Sequence, residues 1–241
     1  MNDANPPRNQ GAQIHRLKIE HSVYYAVQEP VDKHDAPPAL IIAAHGYGQA
    51  CKSFIRRFRP WCAHNVLVAV PQGPSQFYWK HDNPPRVGFS WMTSYMRENT
   101  IEELMAYMTR LLEDLAECYT FDKNRMFTLG FSQGSALAFR LAASDILKPA
   151  GAIACGGDLP PDVADRLSEL DPFPVLLVHG KEDKSMSYER AREGEQMLRD
   201  HDFPVDTLYF DGEHDLPPEM FGPMMEWMKA RPGANQKETK S

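Results

Sequence analysis

Short runs of unbroken apolar residues alternate along the chain with longer stretches in which apolar residues recur every three or four positions. The runs are Leu40-Ile41-Ile42-Ala43-Ala44, Val66-Leu67-Val68-Ala69-Val70, Met126-Phe127-Thr128-Leu129, Ala152-Ile153-Ala154 and Val175-Leu176-Leu177-Val178. Apolarity without period-two alternation marks strands covered on both faces. Leu208-Tyr209-Phe210 adds a strand nearer the edge, and the alternating segments Ile14–Glu20 and Ser22–Gln28 predict a leading antiparallel pair.

Between the runs the period becomes helical. Ile101, Leu104, Met105, Met108, Leu111, Leu112 and Leu115 form one stripe, and Thr100 followed by Glu103 reads as a capping box before it. Ser135–Ala142, Tyr188–Arg199 and Pro218–Lys229 are further helices. Strand–helix alternation of this kind predicts an α/β fold with a mainly parallel twisted sheet and helices on both faces. We expect one domain over 14–231, a disordered lead-in over 1–13 and a flexible tail over 232–241. The stretch Pro71–Glu98 fits neither period. It carries Phe77, Tyr78, Trp79, Phe89, Trp91 and Tyr95 among several prolines, as a ligand-facing wall or a pinned surface loop would.

Composition narrows the function classes. The 241 residues are 42% hydrophobic and 24% charged, and 26 basic against 33 acidic residues leave a net charge of −7. That balance, with no long Lys/Arg run, argues against a nucleic-acid partner. No stretch of about 18 apolar residues is available to span a membrane, and no apolar signal segment opens the chain. Cys51, Cys62, Cys118 and Cys155 show no metal-type spacing with histidine, so no metal site is expected. They fit a reducing, cytoplasmic setting. The stripe Met224, Met225, Trp227 and Met228 reads first as core packing, with a homodimer contact as the alternative.

The chemistry concentrates in Gly130-Phe131-Ser132-Gln133-Gly134, which follows a strand-like run and opens a helix-like one. A strand turning that sharply into a helix leaves its serine strained and exposed above the sheet, and glycines on either side relieve the crowding. A serine hydroxyl needs a base, and the base an orienting acid, in the chain order Ser, acid, His. Of the histidines after Ser132, His179 ends an apolar run and His201 sits among Arg199, Asp200 and Asp202. His214 follows Leu208–Phe210 through a short polar loop and is the expected base. Asp183, in the loop after Val175–Val178, is the expected acid, with Asp158 the main competitor. For the oxyanion, the backbone N–H of Gln133 and that of Tyr47, in His45-Gly46-Tyr47-Gly48-Gln49, are the expected donors.

Together His45-Gly46-Tyr47-Gly48, Gly130-Phe131-Ser132-Gln133-Gly134-Ser135, Val178-His179-Gly180-Lys181-Glu182-Asp183 and Gly212-Glu213-His214-Asp215-Leu216-Pro217 resemble the phospholipase/carboxylesterase family of small α/β-hydrolases, which includes the acyl-protein thioesterases. The resemblance runs from about Ala39 to Trp227. It implies an α/β-hydrolase fold without a large cap domain, no cofactor, and hydrolysis of a small-molecule ester or thioester. Residue by residue, Ser132 falls on the family's nucleophile, Asp183 on its acid, His214 on its base, and Tyr47 and Gln133 on its oxyanion positions. The chain departs from the pattern at Asp215, where the family commonly has Glu, and across Pro71–Met92, its variable loop. Trp79, Phe89 and Trp91 from that loop are the expected substrate-binding residues. With Lys80, His81, Asp82 and Arg86 as a polar rim they suit short to medium acyl groups. A lysophospholipase or acyl-protein thioesterase, or a catalytically silent ligand-binding protein on this fold, are the alternatives.

Overall fold

The computed structural model describes residues 12–32, 34–79 and 83–231. Most of the expected lead-in, the tail over 232–241, and Lys80, His81 and Asp82 of the expected rim lie outside the described residues. Seven strands form the central sheet: β1 (Tyr25–Gln28), β2 (Ala39–Ala44), β3 (Val66–Pro71), β6 (Asp122–Phe131), β7 (Gly151–Cys155), β8 (Val175–Gly180) and β9 (Val205–Phe210). Their spatial order is β1-β3-β2-β6-β7-β8-β9. Only β1 is antiparallel to its neighbour.

Each apolar run is a strand packed on both sides. In β2, Ala39, Ile41 and Ala43 join one core cluster while Leu40, Ile42 and Ala44 join another, the period-two alternation of a pleated strand. The first cluster is covered by α1 (Cys51–Phe54), the 3-10 segment Ile55–Ala63 and α6 (Phe221–Lys229). On the opposite face lie α2 (Arg97–Cys118), α3 (Gln133–Ala142) and α5 (Tyr188–Asp200), with the short α4 (Pro161–Ala164) contributing Val163. Met224, Met225, Trp227 and Met228 are buried in this core, which removes them as a dimer face. Among the described residues no helix is long and apolar enough to cross a membrane.

Three expectations are corrected. Of the leading pair only Tyr25–Gln28 is a strand, and it pairs with β3. Ile14, Leu17 and Ile19 upstream are exposed, while Arg16 and Lys18 between them are tied to Glu102 and Glu103 of α2. With nothing to bury the alternate apolar positions, no second strand forms. Thr100 and Glu103 do not cap α2, which begins a turn earlier at Arg97, after Met96 in the left-handed region (φ 48°). Thr100 Oγ1 instead donates to the Met96 carbonyl at 3.2 Å. The aperiodic stretch after Pro71 holds a hairpin, β4 (Ser75–Trp79) paired antiparallel with β5 (Arg86–Ser90) in a sheet of its own.

Candidate active site

The strand order reverses between β2 and β6: β3 lies to one side of that pair and β7 to the other. Crevices at the carboxyl ends of strands flanking such a reversal are where open α/β sheets bind ligands. The loop after β2 is His45–Gln49, and the turn after β6 holds Ser132.

That turn is tight. Ser132 has φ 54° and ψ −121°, a region a residue with a Cβ seldom occupies and one held only by its surroundings. A Cβ on Gly130 would lie 2.1 Å from the Gly134 carbonyl oxygen, which is why the crossing tolerates only glycine there. The Ser132 N–H donates to the Cys155 carbonyl at 2.8 Å. The buried Ser135 hydroxyl sits 2.9 Å from the Gly130 carbonyl and 3.0 Å from that of Cys155, pinning the turn from beneath.

Ser132, His214 and Asp183 are brought together from the ends of three strands. Ser132 Oγ is 2.9 Å from His214 Nε2, and His214 Nδ1 is 2.6 Å from Asp183 Oδ2. An ionised carboxylate only accepts, so Nδ1 carries the proton and Nε2 faces the hydroxyl as an acceptor. The Asp183 side chain is fully buried. Burial pushes its carboxyl up, but the Met186 N–H, His214 and the Ser185 N–H outweigh it and hold the group below the ordinary aspartate value. Asp158, the competing acid, is instead paired with Arg190 at 2.6 Å. His201 is exposed, with Nδ1 bonded to the Met197 carbonyl. His179 is buried, and its Nε2 donates to the Met186 carbonyl at 2.9 Å, 3.5 Å from Asp183 Oδ2. It thus braces the loop that carries Asp183, a role that its position in an apolar run did not reveal.

The two expected oxyanion donors border the same spot. Gln133 opens α3, so its N–H has no partner inside the helix. Among the described residues the Tyr47 N–H has no hydrogen-bond partner. Gly46, just before it, abuts the turn: a Cβ there would lie 3.3 Å from Ser132 Cβ. His45 locks this loop. Its Nδ1–H donates to the Gly46 carbonyl at 2.8 Å, while Nε2 accepts from the Gly73 N–H at 3.0 Å and from Gln72 at 2.9 Å. Burial lowers its pKa to about 4, so it stays neutral in that bonded form.

A cleft of about 720 Å3 opens at Ser132, and Trp91, Met92 and Met186 are among its walls. Trp91 is almost fully buried and donates its indole N–H to the His45 carbonyl at 2.7 Å. Trp79 and Phe89 do not line this cleft. The Phe89 carbonyl accepts from the Gly48 N–H at 2.7 Å, and the Trp79 ring lies where Cβ atoms on Gly48 and Gly88 would stand. Tyr47 stacks on Phe77 at 4.9 Å. The hairpin aromatics therefore support the loop after β2 instead of facing the cleft. Among the described residues no group of three or more His, Cys, Asp or Glu side chains gathers as metal ligands.

A strained serine at a strand-to-helix turn, facing a carboxylate-bonded histidine above a mainly parallel sheet, defines a site of the serine-hydrolase class on an α/β-hydrolase fold. The sequence model of the phospholipase/carboxylesterase family matches residues 24–231, and the chain belongs to that family of hydrolases. Among solved structures it is similar to esterase PE8, with a TM-score of 0.71 and 18% identity over 88% of this chain and 100% of that one. Acyl-protein thioesterase 2 of Zea mays aligns with a TM-score of 0.63 and 19% identity over 86% of this chain and 98% of that one. The carboxylesterase of Bacillus cereus gives 0.65 and 18% over 86% and 93%.

Proposed function

We propose that the protein hydrolyses small carboxylic esters or thioesters through an acyl-enzyme on Ser132. The reading is carried by one observation, the unbroken chain of hydrogen bonds from Ser132 Oγ through His214 to Asp183 at 2.9 and 2.6 Å. In it, His214 Nε2 takes the hydroxyl proton as Oγ attacks the carbonyl carbon, and Asp183 stabilises the imidazolium that results. The N–H groups of Tyr47 and Gln133 bind the oxyanion, each worth on the order of a hundred- to a thousandfold in rate. His214 then protonates the leaving alcohol or thiol. In the second half it draws a proton from water, which attacks the acyl carbon, and hands that proton to Ser132 Oγ as the acyl–oxygen bond breaks and the acid leaves. Trp91, alone of the three aromatics expected to bind substrate, is retained in that role because it lines the cleft. None of the four cysteines is paired, which supports a reducing, cytoplasmic setting.

Labelling with a fluorophosphonate probe tests the reading. Wild type should be modified at Ser132, and Ser132→Ala should not. A wild-type protein that resists the probe would favour a ligand-binding protein that retains the triad without using it.

A further inference from the structure

The floor of the cleft is one face of α3. Ser132, Gln133, Ala136, Leu137 and Arg140 follow one another along it, so Arg140 stands roughly 12 Å along the helix axis from the serine. There the cleft becomes ionic. The Arg140 side chain is only 4% exposed and grips both oxygens of Asp162, at 2.7 and 2.6 Å. Burial pushes the Asp162 carboxyl up, and the Arg140 fork, with smaller help from a backbone N–H and Arg97, outweighs it and holds the group ionised.

Arg97 then brings a second guanidinium to a carboxylate that Arg140 holds at both oxygens. Its Nη2 lies 3.1 Å from Asp162 Oδ1, the oxygen Arg140 holds more closely, and its side chain is 39% exposed. Arg97 is also the first residue of the 22-residue helix α2, where the helix dipole disfavours a cation and favours an anion. The other carboxylates lining the cleft compensate it less directly. Asp158 is held by Arg190 at 2.6 Å, and Asp165 stands exposed, where water screens it. Thr93 and Ser94 add hydroxyl groups to the same lining.

We propose that this end of the cleft is an anion subsite in which Arg97 receives a carboxylate on the substrate, so that the preferred esters are half-esters of dicarboxylic acids. The proposal rests on the acyl-transfer reading above. An alkyl chain reaching the ionic end would strip water from charged groups without replacing their hydrogen bonds. A carboxylate would instead gain a charge-assisted bond from a planar guanidinium already oriented by Asp162 and by Met92 Sδ.

The test compares kcat/KM for p-nitrophenyl half-esters of adipic to suberic acid with that for neutral alkanoates of equal length. A parallel pair carries the charge on the alcohol side of the ester. Wild type should favour the anionic half-ester over the neutral alkanoate roughly 10- to 100-fold, with no such ratio in the alcohol-side pair. Arg97→Leu should collapse that ratio, and Arg97→Lys, which keeps the charge but loses the fork, should restore part of it. Equal rates for half-ester and alkanoate, a preference confined to the alcohol-side pair, a ratio unmoved by Arg97→Leu, or a preference for a cationic choline ester would overturn the proposal. Calorimetry of adipate with Ser132→Ala reads the subsite without turnover. Binding lost on adding Arg97→Leu supports the subsite even if the fluorophosphonate test fails, and absence of binding overturns it even if that test succeeds.

Discussion

Gly134 and Ala44 meet so closely that a Cβ on the glycine would lie 2.2 Å from the alanine carbonyl oxygen. The helix that begins at the Ser132 turn thus rests on the last residue of β2, and the loop with the Tyr47 N–H starts one residue later. Gly134→Ala should therefore separate the two halves of the site as well as overpack the core. A loss of about 1–3 kcal/mol in urea unfolding is expected, together with a fall in kcat at temperatures where the variant is still folded. Unchanged stability and rate would mean that the contact relaxes freely.

Ser132→Ala and His214→Ala should each reduce kcat by several orders of magnitude, and the double variant should be hardly worse than either. Groups that act as one unit lose their joint effect once. Steady-state kinetics on a short ester decide it: losses that multiply would show that the two side chains act separately.

Asp183→Asn should cost on the order of ten-thousandfold in kcat by favouring the wrong imidazole tautomer, as measured for the corresponding aspartate of a serine protease. Asp158→Asn, in a residue paired with Arg190 and not with His214, should cost far less. The reverse ranking would reassign the acid.

His45 supplies a pH signature of stability. Its folded pKa of about 4 lies below the ordinary 6.5, so between those values the unfolded chain binds a proton that the native protein does not. Its stabilisation is complete above pH 6.5 and declines as pH falls towards 4, by on the order of 3 kcal/mol in all. His45→Gln should flatten that part of the curve, measured by denaturant unfolding at closely spaced pH values. Asp183, held below the ordinary aspartate value, adds its own loss only at still lower pH, as the native carboxyl protonates.

Trp79→Ala and Trp91→Ala should differ in kind. The Trp79 ring fills the space over Gly48 and Gly88, so its removal should lower kcat by a similar factor for every acyl length. Trp91 lines the cleft, and its loss should change the chain-length profile. A length-dependent effect at Trp79 would return that residue to the substrate.

The sheet was readable because its strands are sandwiched: an apolar run such as Val66–Val70 has few other ways to be buried on both sides. The meeting of Ser132, Asp183 and His214 was readable too, since each follows a recognisable strand through a short polar loop. The hairpin was not. Most of β4 is exposed, and its aromatics pack on glycine backbone and on one another, a pattern with no period along the chain. The start of α2 was misread because Thr100 and Glu103 satisfy the local rule for a cap, and nothing local signals the left-handed Met96 that begins the helix a turn earlier. The ionic end of the cleft was equally hidden, since Arg97, Arg140 and Asp162 are distant in the chain and meet only through the fold.

The Gln133 side chain reaches out of the turn at Ser132 to hold the wall of the cleft. Its Oε1 accepts from the Trp91 N–H at 3.0 Å, and its Nε2 donates to the Met92 carbonyl at 2.8 Å. One residue therefore joins the amide proposed to stabilise the reaction to the wall of the cleft. On that proposal a substitution that enlarges the cleft at Trp91 or Met92 also disturbs the Gln133 amide, whereas one at Ala136 or Leu137, farther along the α3 floor, leaves that tether in place.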